Sequence, residues 1–148
     1  MKQRFLVKVK YTKQLDNGTF KRVSELYLFD AKSYTDCEAQ VYEHLASLIR
    51  GEFIIMKMDR FDCEEFIDNG KKFFIVKQTY TDIDDREIKM KLLVASDNIE
   101  EARTSAALYS IAIKYTTLPE VKSIVETKIL DYFTGVMDVE YEEDEPTN

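Results

Sequence analysis

Apolar and polar residues alternate along the first part of the chain. From Phe5 to Thr12 the alternation has the period of two that is typical of a strand with one buried face. The sequence Asp16-Asn17-Gly18 follows, and its residues tolerate the positive φ that a tight hairpin requires. Lys21 to Phe29 then predicts the returning strand of a β-hairpin.

A helix is predicted after this hairpin, followed by a third strand. Thr35 is placed to cap the helix, and Glu38 is placed to reach back to the amide of the cap. Gly51 is expected to end the helix, and Phe53 to Phe61 to form the strand. The apolar residues of the predicted helix recur at helical spacing and comprise Val41, Leu45, Leu48 and Ile49.

The same order of elements is predicted a second time. Lys77-x-x-Tyr80-Thr81 matches Lys8-x-x-Tyr11-Thr12, and a helix starting at Asn98 aligns with the first helix. The second copy has strands at Lys72 to Thr81, Glu87 to Val94 and Val121 to Leu130. The buried face of its helix is predicted to include Ala102, Ala106, Tyr109 and Ile113, and Leu118-Pro119 is expected to end that helix.

The predicted fold class is α+β, built by tandem duplication of a β-β-α-β unit. The repeats span residues 4–67 and 72–133, within a single domain of residues 1–137. Hairpin and crossover rules place the third strand beside the first, so each repeat is a mostly antiparallel sheet with strand order 2-1-3 and one helix. Six strands and two helices result. They form either one continuous sheet or two sheets packed about a pseudo-twofold axis.

Composition is that of an ordinary folded domain. The 148 residues are 45% hydrophobic and 33% charged, with only four Gly and two Pro, which excludes collagen-like and wholly disordered classes. No apolar run approaches the roughly 18 residues that span a bilayer, and the N-terminal sequence leads directly into a strand pattern rather than a signal peptide. A cytoplasmic protein without membrane contact is therefore predicted.

Negative charge is concentrated at the C-terminus. Residues 138–148 hold six of the acids and no base, so the rest of the chain is nearly neutral although the formal charge is −7. Residues 1–50 have an excess of bases, whereas residues 51–70 have an excess of acids. We expect an acidic disordered tail that either keeps the protein soluble, recruits a protein partner, or competes with an anionic ligand for a basic surface.

The sheet face turned away from the helices is predicted to mix lysines with apolar residues. Either the other repeat or a second subunit covers it, which makes a homodimer one expectation, or it forms a stacking and phosphate-binding platform for single-stranded nucleic acid. The candidate ligand-binding residues on this face are Leu6, Lys8, Lys10, Phe73, Ile75, Lys77, Lys89 and Lys91.

Sequence motifs for catalysis are scarce. The one histidine, His44, lies two helical turns from Cys37, so the two cannot meet within that helix. The four glycines are isolated, which excludes a P-loop and a dinucleotide fingerprint, and Cys37 and Cys63 lack metal-ligand spacing. Acidic residues around Asp62 are interpreted as a loop between the repeats. The prediction is a non-enzymatic protein with no cofactor and no metal.

A family resemblance rests on several short motifs. Phe5-x-x-Lys8-Val9-x-Tyr11, Gly51-Glu52-Phe53 and Ser123-Ile-Val125-Glu126-Thr127 are similar to a family of small uncharacterised proteins, with a numbered domain of unknown function, from anaerobic gut bacteria and their phages. The resemblance covers about residues 4–133 and implies a small intracellular protein with no assigned activity and no transferable functional site. The family favours Trp at the strand starts, where this chain has Phe5 and Phe73.

Two binding functions remain open from the sequence. The first is binding of single-stranded DNA or RNA in a phage or mobile-element setting, through the lysine-rich sheet face. The alternative is a protein–protein interaction module, such as a host-factor or defence modulator, that uses the same face or an unpaired edge strand.

Overall fold

The structure, a computed structural model, describes residues 2–114 and 118–134, and the side chains of all of these except residues 113 and 114. The predicted acidic tail therefore lies outside the described residues, as does the side chain of Ile113. The elements of the described chain are β1 (Gln3–Gln14), β2 (Phe20–Ala31), α1 (Tyr34–Leu45), β3 (Phe53–Arg60), β4 (Glu65–Asp68), β5 (Lys72–Thr81), β6 (Glu87–Ser96), α2 (Ile99–Lys114), β7 (Glu120–Glu126) and β8 (Ile129–Phe133).

The chain divides into two compact units, each with one four-stranded sheet. Unit 1 comprises the chain up to Phe61 together with β8, and its sheet has the strand order β3-β1-β2-β8. Unit 2 comprises Asp62–Lys128, and its sheet has the order β4-β6-β5-β7. The α+β fold class is confirmed, and of the two arrangements left open by the sequence the structure has two sheets.

The first hairpin forms as the alternation predicted. Phe5 lies opposite Phe29 in an antiparallel register that continues to Gln14 opposite Phe20. At the turn, the Leu15 N–H donates to the Thr19 carbonyl at 2.8 Å, and Gly18 adopts φ = +88°. That backbone conformation is readily available to glycine, so the Gly in the turn fixes where the chain reverses.

Helix α1 begins earlier than predicted. The Asp36 N–H donates to the Ser33 hydroxyl at 3.1 Å, and the Asp36 carboxylate accepts from the Lys32 N–H at 2.8 Å. The cap is therefore Ser33, and the prediction of Thr35 was wrong because the Ser33 hydroxyl accepts from Asp36, whose carboxylate in turn holds the N–H of Lys32, the residue before the cap. The helix ends at Leu45 instead of continuing toward Gly51.

Each helix covers one face of its own sheet. In unit 1 the cluster contains both strand and helix side chains: Phe5, Val7, Val9, Tyr27, Phe29, Ala31, Cys37, Val41, Leu45 and Ile49. In unit 2 the corresponding cluster is Phe74, Val76, Met90, Leu92, Val94, Ala102 and Ala106. Leu48, predicted on the buried face of the first helix, is exposed because α1 has already ended.

Eight strands are present in the described residues where six were predicted. Glu65–Asp68, interpreted as part of a loop, forms β4, which pairs parallel to β6. The predicted last strand, Val121 to Leu130, is two strands, because β7 ends at Glu126 and β8 pairs parallel to β2. Each short parallel strand extends a predicted three-stranded sheet by one position.

The short parallel strands β4 and β8 each pair in the sheet of the other predicted repeat. β4 belongs to the first predicted repeat but pairs in the sheet of unit 2, and β8 belongs to the second predicted repeat but pairs in the sheet of unit 1. Polar contacts join β8 to its sheet: Arg4 Nε donates to the Tyr132 hydroxyl at 2.8 Å, which donates to the Asp30 carboxylate at 2.6 Å. Both units contain a hairpin, a helix and a third strand in the same order, but the fourth strand comes last in unit 1 and first in unit 2. The tandem duplication stays a prediction.

The described residues contain two helices, α1 and α2. Neither α1 nor α2 combines the length and the apolar character that crossing a bilayer requires.

Candidate lysine-lined site

Lysines gather on the face of the unit 2 sheet that is turned away from α2. Antiparallel pairing sets Lys77 directly opposite Lys91 and Thr79 opposite Lys89. Residues two apart on a strand share a face, so these four side chains project from one side, opposite to the core residue Val76. The structure therefore brings together Lys77, Lys89 and Lys91, as the sequence predicted.

A concavity of about 470 Å³ lies among these lysines. Lys122 joins it through a β-bulge, because Ser123 pairs with Lys77 and Val121 pairs with Gln78, which leaves Lys122 as the extra residue of β7. Its lining consists of Glu64, Lys77, Gln78, Thr79, Glu87, Lys89, Met90, Lys91 and Lys122. We call this concavity the lysine site.

Positive charge exceeds negative charge in the lysine site. Four lysines face two glutamates, and Lys122 forms an ion pair with Glu120 at 3.3 Å. Within the part of the chain that the structure describes, neither Lys77 nor Lys89 has a carboxylate partner. Like charges directly opposite each other destabilise a sheet. With Lys91 opposite it, Lys77 thus gives up the stabilisation that an oppositely charged residue in its place would add.

The predicted lysines of unit 1 also lie on a face turned away from its helix, but they do not share one site. Lys8 is exposed and lies directly opposite Lys57 on β3, whose Nζ is 3.4 Å from the Asp59 carboxylate. Lys10 is half-buried and lines a separate recess of about 440 Å³ that also contains Arg22. Lys8 and Lys57 form a second like-charge pair across strands.

The apolar residues predicted on the outer faces are less accessible than expected. Phe73 is only 7% exposed, and its ring stacks on Phe66 with centroids 6.1 Å apart and an interplanar angle of 19°. The prediction that Phe73 is open to a ligand was wrong because β4, which carries Phe66, was not predicted. Leu6 and Ile75 are half-buried. The accessible part of the predicted site is therefore cationic.

Residues with potential acid–base or nucleophilic chemistry are engaged in structural roles. Burial, with Asp36 adding to it, raises the pKa of the Cys37 thiol to about 11, so the thiol is protonated at neutral pH. The His44 ring stacks on Phe133, with centroids 4.7 Å apart and an interplanar angle of 22°. In the described ranges, no group of three or more His, Cys, Asp or Glu residues is arranged to hold a metal ion.

Two tyrosines share a carboxylate on the helix side of the unit 1 sheet. The hydroxyls of Tyr11 and Tyr27 donate to Glu25 at 2.9 and 2.8 Å. Burial, followed by the hydrogen bond to Glu25, raises the pKa of Tyr11 to about 12 and also raises the pKa of Tyr27. Both tyrosines therefore remain neutral donors over the physiological range.

Sequence reasoning missed the contributions of Lys122 and Lys57. Lys122 reaches the lysine site only because of the bulge in β7, and nothing in the local sequence marks that bulge. Lys57 was detectable in principle, since its position in the third strand places it opposite Lys8 once the antiparallel pairing of β1 and β3 is known.

Comparison with known proteins identifies one family. A family model described as "Domain of unknown function (DUF4494)" matches residues 3–135, nearly the whole described chain. No match is found among curated proteins or among solved structures.

Proposed function

The chain belongs to the DUF4494 family, a domain of unknown function, and we propose that it is a non-enzymatic protein that binds single-stranded nucleic acid through the lysine site. One observation carries this proposal: Lys77 and Lys91 are held directly opposite each other, with Lys89 and Lys122 beside them, around one concavity. The phage or mobile-element setting remains a prediction from the family resemblance.

The cost of the lysine pair supports an anionic ligand. Opposite charges that lie directly across two strands contribute about 0.2–1 kcal/mol, whereas like charges in the same arrangement are destabilising. A sheet face on which two lysines lie opposite each other lacks this stabilisation. Phosphates that bind to the lysines supply the missing negative charge. The same pattern recurs at Lys8 and Lys57 in unit 1. Several lysines around one concavity suit the successive phosphates of a polynucleotide better than a single small anion.

The size of the concavity is compatible with part of a nucleotide strand. Ligand-binding pockets of about 300–1,000 Å³ accommodate small molecules or portions of polymers, and the lysine site lies within that range at about 470 Å³. An unpaired strand tracks along a positive surface with its backbone accessible, which gives every lysine of the site a phosphate to contact.

Charge reversal at Lys77 tests the proposal. In Lys77→Glu the new carboxylate faces Lys91, so the free energy of unfolding should rise by about 0.2–1 kcal/mol while affinity for a labelled single-stranded oligonucleotide falls. The slope of log affinity against log salt concentration should decrease by about 0.7 for each phosphate that the variant no longer neutralises. Fluorescence anisotropy at several salt concentrations measures binding, and urea denaturation measures stability.

Lys72→Glu is the matched control for this experiment. Lys72 is an exposed lysine on the same strand, outside the lysine site, so its reversal changes net charge by the same amount. The proposal predicts a much smaller loss of affinity for this control. It is contradicted if the wild-type protein does not bind the oligonucleotide, or if Lys72→Glu and Lys77→Glu weaken binding equally.

A second candidate function, protein interaction, is favoured by the edge of the unit 1 sheet. β3 is an edge strand, and its Ile54 and Met56 side chains are 54% and 52% exposed. An exposed edge with apolar side chains can accept an extended segment of a partner by strand addition. In this mode Met56→Asp would abolish binding of the partner, whereas Lys77→Glu would leave it unchanged.

A further inference from the structure

The end of the first hairpin combines an exposed aromatic ring with several cations. In the β1–β2 register, Gln14 lies opposite Phe20, Thr12 opposite Arg22, and Lys10 opposite Ser24. Because alternate residues share a face, Lys10, Arg22 and Phe20 project from the same side of the hairpin. Lys10 and Arg22 are diagonal neighbours, which places their charged groups within reach of one bound group.

Two recesses meet at this end of unit 1. One has a volume of about 540 Å³ and the other about 440 Å³, and both are lined by Tyr11, Thr12, Phe20 and Arg50. Phe20 and Arg50 are therefore accessible from both recesses. Sequence reasoning selected only Lys10 from this cluster, because Arg50 lies far along the chain and the register that aligns Arg22 with Lys10 was not known.

Phe20 is an exception among the phenylalanines. All nine lie within the described residues, and Phe20, at 69% exposure, is the one with an exposed side chain. Burial of a phenylalanine side chain stabilises a fold, so exposure of this ring forgoes a contribution that the other phenylalanines obtain fully or in part. A ring that stays exposed beside cations is suited to stack on a planar ligand.

The charges around Phe20 are predominantly positive. The basic residues are Lys10, Lys13, Lys21, Arg22 and Arg50, whereas the nearby acids that line the recesses are Asp16 and Glu52. Lys13 and Lys21 lie directly opposite each other, which is a third cross-strand lysine pair. None of these five basic residues forms an ion pair within residues 2–114 and 118–134.

We propose that the end of the β1–β2 hairpin is a second nucleic-acid site, in which Phe20 stacks on an unpaired base while Lys10, Arg22 and Arg50 contact the neighbouring phosphates. This inference rests on the proposed function and specifies its substrate, because a base inside a duplex is already stacked on both faces and offers no free face to Phe20. The hairpin end thus makes binding selective for single strands, whereas lysine–phosphate contacts alone would not.

Truncation of the aromatic ring tests this site. Stacking of a base on an aromatic side chain is worth about 1–3 kcal/mol, so Phe20→Ala should weaken binding of a labelled oligothymidylate about 5- to 150-fold. Phe20→Trp should retain the affinity. Because Phe20 is exposed, neither change disturbs the core, and urea denaturation of each variant should show stability close to that of the wild type. Ile83→Ala, at the exposed tip of the hairpin in unit 2, is the matched control.

Two further measurements separate stacking from charge. With an abasic oligomer, which keeps the phosphates but lacks the bases, Phe20→Ala should bind as well as the wild type. With the normal oligomer, the fold-loss in Phe20→Ala should be the same at low and high salt, because stacking releases no counterions, whereas the loss in Lys77→Glu should shrink as salt rises.

The outcomes distinguish this inference from the proposed function. If the wild type binds and Lys77→Glu weakens binding but Phe20→Ala does not, the stacking site is overturned while the lysine site stands. An equal effect of Phe20→Ala on normal and abasic oligomers likewise overturns stacking. If the wild type binds no oligonucleotide, the proposed function fails, and the second site fails with it.

Discussion

At the scale of single residues, Glu25 links the stability of unit 1 to alkaline pH. Its carboxylate accepts from both Tyr11 and Tyr27, and the pKa of Tyr11 is raised from 10.0 to about 12. A tyrosine whose pKa is higher in the folded than in the unfolded chain stabilises the fold while it is protonated. That contribution is complete below about pH 10 and is lost as the pH rises through about 12.

Replacement of Tyr11 should therefore reduce the alkaline sensitivity. In Tyr11→Phe, the fall in unfolding free energy between about pH 10 and 12 should be shallower than in the wild type, because one of the coupled protonations is absent. Urea denaturation over this pH range measures the difference, and Tyr42→Phe, at an exposed position of α1, is the control. Identical pH dependence of Tyr11→Phe and the wild type would contradict the assignment.

At the scale of elements, the exchange of β4 and β8 determines which sheet a substitution affects. Phe133 of β8 stacks on Phe29, with centroids 4.9 Å apart, and belongs to the core of unit 1. Ile67 of β4 packs against the core of unit 2. Thus β4, which follows β3 of unit 1, contributes to the core of unit 2, and β8, which follows β7 of unit 2, contributes to the core of unit 1.

Paired truncations test this connectivity. Phe133→Ala should cost about 2 kcal/mol and raise hydrogen exchange most strongly at Tyr27–Phe29 of β2, although the mutated residue follows unit 2 in the sequence. Ile67→Ala should raise exchange most strongly at Leu92–Val94 of β6. Exchange mapped by mass spectrometry on both variants reports the pattern. If Phe133→Ala instead raised hydrogen exchange mainly in the sheet of unit 2, and Ile67→Ala mainly in the sheet of unit 1, this strand connectivity would be refuted.

The elements that the sequence revealed are those with a long periodic pattern. β1, β2, β5 and β6 have ten or twelve residues each, which is long enough for a strand pattern to be detectable in part of each. β4 has four residues with an acid at each end, and β8 has five that follow β7 without Gly or Pro. Such short segments carry no period of their own. Their strand conformation comes from the hydrogen-bonding edge that β6 and β2 offer.

At the scale of the whole molecule, negative charge is concentrated in the C-terminal sequence, where it disfavours the binding of a polyanion. Residues 138–148, outside the described residues, contain six acids and no base, whereas the remaining sequence has a formal charge of −1. A chain that ends at Met137 should bind a single-stranded oligonucleotide more tightly than the full chain. The gain should be largest at low salt, because the Debye length there is about 30 Å at 0.01 M and about 8 Å at 0.15 M. Anisotropy titrations of both forms measure the ratio, and equal affinities would exclude a competing role for this segment.

The candidate sites illustrate how far sequence can reach. Lys77, Lys89 and Lys91 were predictable because alternation alone assigns them to one face of a hairpin. The cluster at Phe20 was not, because it joins the hairpin to Arg50, which lies beyond a helix. Phe73 was wrongly assigned to the surface because the contact that covers it comes from Phe66 on β4, and the pairing of β4 was not predicted. Long-range pairing, which no local pattern encodes, decided each of these cases.

The stacking of His44 on Phe133 makes the last strand visible to spectroscopy. Since the chain has a single histidine, its imidazole protons contribute one pair of lines to a proton NMR spectrum. An adjacent phenyl group displaces those lines through its ring current. Detachment of β8 from its sheet would remove the contribution of Phe133 and leave that of Phe29, whose ring centroid is 6.1 Å from that of His44, so the lines would shift when this strand detaches.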